Sequence, residues 1–167
     1  EEYKEGFEEI ASYQDRRNIL VLDVLTSKGT EMETNLAKLI KLLYEEKNDE
    51  LLYRAGEAQR HFLLGRLHVG KYLEDNKESF TKTVINEFYQ MEKWLEELDQ
   101  GISNEKAREL LDLIIKDKNT YETNFKELTS IIKSRNAIID RLNDLGLKIS
   151  NTSDEIKSSI DEEQNTF

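Results

Sequence analysis

The chain has 167 residues, 35% of them charged and 37% hydrophobic, with no proline, no cysteine and a formal net charge of −11. That is the length of one domain, and its charge excludes sequence-independent binding to nucleic acid and disfavours an anionic membrane surface. Disulfides and thiolate chemistry are excluded too, no run reaches the roughly 20 apolar residues of a membrane span, and no signal peptide is visible.

With no proline to interrupt it, the apolar spacing is helical almost throughout. The first predicted helix covers about 3–47 and ends at the polar Lys47-Asn48-Asp49, where Asn48 or Asp49 caps the next. The second, about 50–75, carries the stripe Ala55, Ala58, Phe62, Gly65, Val69 and Tyr72, with Arg60, His61, Arg66, His68 and Lys71 on its flanks. A turn at Glu74–Lys77 leads to the third helix, about 78–100, whose stripe is Phe88, Met91, Trp94 and Leu98. Gly101 ends it and Ser103 is placed to cap the fourth, about 104–165.

Short loops predict an all-α, elongated, antiparallel up-down-up-down four-helix bundle. At 1.5 Å per residue the outer helices run about 70 and 90 Å and the inner pair about 35–40 Å. The inner pair therefore covers half of the outer pair. The other half is expected to be a two-helix stem whose apolar stripe needs a partner, most simply a second copy in a homodimer through the long helices. The stripe of the fourth helix alternates steps of four and three from Ala107 to Ile160, a coiled-coil or bundle seam. Lys118, Arg135 and Gly146 are its members unsuited to a dry core.

A repeat relates the long helices. Tyr3, Phe7, Glu9, Ser12, Arg17 and Asn18 recur as Tyr121, Phe125, Glu127, Ser130, Arg135 and Asn136. After a slip of one residue the match resumes with Asp23/Asp140, Leu25/Leu142 and Gly29/Gly146. Thr30-x-x-Glu33 and Thr152-x-x-Glu155 each have the form of a capping box just after those glycines, in conflict with unbroken helices; continuous helices are the expectation.

The antiparallel register brings Arg17 and Arg135 to one height. Guanidinium groups gathered in a seam need anions. Either Glu74, Asp75, Asp23 or Asp140 neutralise them, or the arginines snorkel to solvent, or Arg17, Asn18, Arg135 and Asn136 bind a small anion through planar forks and amides. His61 and His68 are two turns apart, too far to share a metal, and Glu57-x-x-x-His61 lacks di-iron spacing, so no metal is expected. There is no phosphate loop, nucleophile elbow or His-Glu-x-x-His, so neither an enzyme nor a cofactor is expected.

The strings AQRHFLLGRLHVGKYL (58–73), RNAIIDRLNDLG (135–146) and IKSSIDEEQ (156–164) resemble the all-helical extracytoplasmic sensor domains of bacterial methyl-accepting chemotaxis proteins, nearest the helical bimodular type. The resemblance implies a periplasmic ligand-binding domain, residues 1–167, excised from an inner-membrane receptor whose spans lie outside this chain. It also implies a small-molecule ligand, organic acids among the candidates, and signalling by helix displacement. Carried over, Arg17, Asn18, Arg135 and Asn136 become the acid-binding layer. A full bimodular domain has six helices, whereas four are read here. The competing reading is a helical input or spacer domain of a sensor kinase or other receptor that recognises a protein.

Overall fold

The computed structural model describes residues 1–166. Every regular element among them is helical: α1 (Glu2–Ile19), a π-helical segment (Leu20–Leu25), α2 (Thr26–Glu45), α3 (Asp49–Asp75), α4 (Glu78–Gly101) and α5 (Glu105–Asn165). The fold is a helical bundle. It divides into two compact units, one of residues 18–129 and one combining the two chain ends, 1–17 and 130 onward.

The helix ends follow local chemistry. Asn48 caps α3, its Oδ1 accepting from the Leu51 N–H at 3.1 Å. At α5 the cap is Asn104, which accepts from the Ala107 N–H at 3.1 Å, rather than the expected Ser103. The two residues with positive φ, Lys47 and Asn76, lie in the turns after α2 and α3. Neither threonine begins a helix. Thr30 donates its hydroxyl back to the Thr26 carbonyl at 2.9 Å within α2, and α5 runs through Gly146 and Thr152 without a break.

In the unit of residues 18–129 the core is built from the predicted stripes of α3, α4 and α5 and from an apolar face of α2. Leu36, Leu39 and Leu43 of α2, Ala55, Ala58 and Phe62 of α3, Phe88, Met91 and Leu98 of α4, and Leu111, Ile114 and Leu128 of α5 are all buried. Each large member contributes about 1.5–3 kcal/mol of transfer free energy. Tyr72 meets Phe125 edge-on and Phe88 lies against Tyr121, tying α5 to both α3 and α4. Gly65 lets the Phe88 ring close on α3; a Cβ there would stand 3.1 Å from Cε2. Trp94 departs from expectation: it is half-buried and meets exposed Tyr53 edge-on at 5.6 Å.

The predicted first helix, 3–47, is corrected in one respect: it is not a uniform α-helix. At Leu20–Leu25 the ladder widens, and both the N–H and the hydroxyl of Thr26 bond to the Val21 carbonyl, five residues back, the hydroxyl at 2.8 Å. The repeat explains why. Between Asn18 and Asp23 the first copy holds one residue more than the second holds between Asn136 and Asp140. Leu20 and Leu25 are both buried and five apart, whereas the matching Ile138 and Leu142 are both buried and four apart. A π turn stores the extra residue and keeps both leucines on the buried face.

In the other unit, α1 and the later part of α5 meet around small residues. A Cβ on Gly6 would stand 2.8 Å from Leu142, and one on Gly146 would stand 2.7 Å from the Tyr3 hydroxyl, which itself donates to the Leu142 carbonyl at 3.3 Å. Beyond this contact α5 is exposed, with Ile149, Ile156 and Ile160 about half-accessible.

Candidate functional site

Arg17, Arg135 and Asn136 are half-buried and Asn18 is exposed. Amide oxygens are among the groups that brace the Arg135 guanidinium: NH1 donates to Gln14 Oε1 at 2.8 Å, and Nε and NH2 both donate to Asn136 Oδ1, at 3.2 and 3.1 Å. Arg135 and its neighbour Asn136 are thus brought together, and Gln14 joins them although the sequence did not single it out.

The larger unit holds three polar constellations of its own. Lys118, flagged as unsuited to a dry core, is 2% exposed. Its ammonium meets Glu122 at 3.1 Å and Glu92 of α4 at 3.5 Å. Those carboxylates offset the desolvation of the ammonium. The same lysine lines a cleft of about 370 Å³, together with Glu92, Glu96, Asp99, Leu95 and Ile115. One residue earlier, buried Asp117 pairs with Lys28 of α2 at 3.2 Å. Lys28 also bonds Glu31; the two carboxylates hold the ammonium above its ordinary value, and Lys28 in turn holds Glu31 below its own.

The second constellation corrects the placing of His61 among ordinary flank residues. It is buried, with Nδ1 2.6 Å from Glu87 of α4 and Nε2 3.2 Å from the Arg60 guanidinium. Arg60 is itself held by Glu57, which raises its affinity for its proton. His61 lies one position before Phe62 of the stripe, close enough to be covered when α4 packs, a consequence of tertiary contact that the α3 pattern does not encode.

The third lies beneath the π-helical segment. Arg66 crosses α2 at Gly29, where a Cβ would stand 2.9 Å from its Nε, so the glycine opens its path. Its guanidinium pairs with Glu33 at 2.8 Å and stacks over the Phe62 ring at 5.6 Å. Beside it is Tyr121, 2% exposed, whose phenol is pushed up to about 12 by burial while the neighbouring Arg66 pulls it the other way. The sequence signalled this place only through Gly29 and the one-residue slip.

Among the described residues no group of three or more His, Asp or Glu side chains is arranged to hold a metal ion, and no helix is long and apolar enough to cross a membrane. No family model, no curated protein and no solved structure matches the chain.

Proposed function

We propose that the chain is the extracytoplasmic sensor domain of a bacterial methyl-accepting chemotaxis receptor, an antiparallel up-down-up-down bundle that binds a small organic acid between helices. It works as a homodimer through its long helices and signals by helix displacement. The observation that carries the reading is the bracing of Arg135. A half-buried guanidinium held by the amides of Gln14 and Asn136 has a fixed orientation, which is what planar recognition of a carboxylate uses. Arg17 and Asn18, the repeat-related dipeptide, complete the candidate layer.

The dimer part of the reading rests on the exposed end of α5. Ile149, Ile156 and Ile160 continue the heptad steps of buried Leu111, Ile114 and Leu128. The positions flanking that seam include Leu145, Ser150, Thr152, Lys157 and Ser159, while Lys148, Asp154, Glu155, Asp161 and Glu162 lie away from it. Up to Ile160 the acidic residues of a chain of net charge −11 are thus kept off the face that would meet a second copy.

A thermal-shift screen of organic acids, amino acids and amines, run on wild type and Arg135→Ala, tests the reading. A ligand at a hundred times its Kd adds about 2.7 kcal/mol. An acid that raises Tm in wild type and not in Arg135→Ala is the expected result. A flat screen, with the variant as stable as wild type, overturns it. The alternative, a helical input or spacer domain of a sensor kinase or other receptor recognising a protein, is favoured by the exposed pairs Leu63/Leu67 and Ile85/Tyr89, each one helical turn apart on α3 and α4.

A further inference from the structure

Between the π-helical segment and α3 lies a dent of about 160 Å³. Its walls are apolar, from Val21 and Leu25 of the segment and Val69 and Leu73 of α3, and its polar groups are Arg66, Tyr121 and Thr26. Thr26 is committed, its hydroxyl donating to the Val21 carbonyl at 2.8 Å. Arg66 is oriented by Glu33, by the Phe62 ring and by its passage over Gly29. A guanidinium only donates and a phenol hydroxyl can donate as well, and Arg66 and Tyr121 lie close enough to act on each other. The dent thus offers hydrogen-bond donors and a positive charge together with aliphatic surface.

Its complement is an anionic acceptor with a short aliphatic tail. The dent is small beside the ~300 Å³ and upward of ordinary ligand pockets, which favours a compact ligand. We propose that this dent binds a short-chain monocarboxylate of three or four carbons, its carboxylate on Arg66 and Tyr121 and its tail against Val21, Leu25 and Val69. The proposal rests on the small-molecule reading above for its use, but its residues are not those of the Arg135 layer. Glu33 is exposed, so its pairing with Arg66 is a weak competitor for the anion. π turns recur at ligand sites because the widened ladder reshapes the helix surface, and here that surface forms one wall.

The test follows backbone amide NMR shifts of the whole chain during titration with acetate, propionate, butyrate, hexanoate and the neutral propionamide, at constant ionic strength. Wild type is compared with Tyr121→Phe, Gly70→Leu and Arg135→Ala. Gly70 lines the dent, and a Cβ there meets nothing within 4 Å, so a side chain can start there without a clash and leucine is chosen to block the dent. Saturable shifts with propionate and butyrate, centred on 21–26 and 69–73, are expected. Propionamide and hexanoate bind at least tenfold more weakly, Tyr121→Phe weakens propionate about tenfold, and Gly70→Leu abolishes binding while melting at or above wild type. Arg135→Ala leaves the titration unchanged. Equal binding of propionamide, persistence of the shifts in Gly70→Leu, or no saturable shift overturns the proposal. Binding lost in Arg135→Ala and kept in Gly70→Leu also overturns it and leaves the Arg135 layer standing as the acid site.

Discussion

His61 and Glu87 join α3 to α4 through a hydrogen bond of 2.6 Å, with the Arg60 guanidinium 3.2 Å from the opposite ring nitrogen. Because the guanidinium only donates, Nε2 is the acceptor and the ring proton sits on Nδ1, donated to Glu87. Glu87→Gln preserves an acceptor and is expected to change stability by less than about 1 kcal/mol. Glu87→Ala leaves a buried N–H unpaired and costs about 1–3 kcal/mol. Urea unfolding of the two variants checks this, and equal losses would refute the assigned tautomer.

Lys118 sets up the opposite contrast. Its ammonium is buried against Glu92 and Glu122, an arrangement in which the attraction chiefly offsets desolvation. Lys118→Met fills the same space without a charge and is expected to melt at or above wild type. Removing both carboxylates, in Glu92→Ala/Glu122→Ala, strands the charge and costs about 3 kcal/mol. Differential scanning calorimetry on both variants decides it.

The stored residue in the π-helical segment predicts an unusual tolerance. Deleting exposed Leu22 removes one residue where the ladder already carries one extra, so the segment closes to an α-helix with Leu20 and Leu25 still on the buried face. Helical circular dichroism and a cooperative transition are expected to survive, with a loss of about 1 kcal/mol or less. Deleting exposed Glu96 in α4 turns one flank of a regular helix by about 100° and is expected to cost several kcal/mol. Similar losses for the two deletions would contradict the stored-residue account.

Tyr121 gives a pH signature. Its folded-state value, about 12, lies above the ordinary 10, so the unfolded chain releases this proton first as pH rises. The stabilisation is fully present below pH 10 and is lost as pH climbs towards 12, amounting to roughly 2–3 kcal/mol. In an ultraviolet titration, the late, high-pH part of the tyrosinate signal is expected to fall by one tyrosine in Tyr121→Phe.

The helices themselves were legible because their signals are local: apolar spacing, the Asn48 cap and the Gly101 stop each act within a turn or two. All six residues of the predicted α3 stripe are buried, and Leu51 and His61, which the stripe left out, are buried with them. The π-helical segment was legible only as a slip between two repeats, since nothing in Leu20–Leu25 alone departs from helical spacing by more than one position. Asn104 in place of Ser103 is a difference of one residue between two good capping side chains, which propensity does not separate. His61–Glu87 and Arg66–Tyr121 join residues 26 and 55 positions apart. Each depends on which neighbouring helix covers a flank, so the packed bundle decides them.

Asp117 and Lys118 are adjacent, buried and opposite in charge, and they reach in different directions, Asp117 to Lys28 on α2 and Lys118 to Glu92 on α4. An apolar stripe tolerates several degrees of roll, because one leucine contact replaces another. Two ion pairs on different neighbours do not: a roll that shortens one lengthens the other, and either buried charge left alone is costly. They therefore act as a key in a keyway. Within this unit they index the angle at which α5 sits against α2 and α4, a setting that leucine contacts alone leave loose.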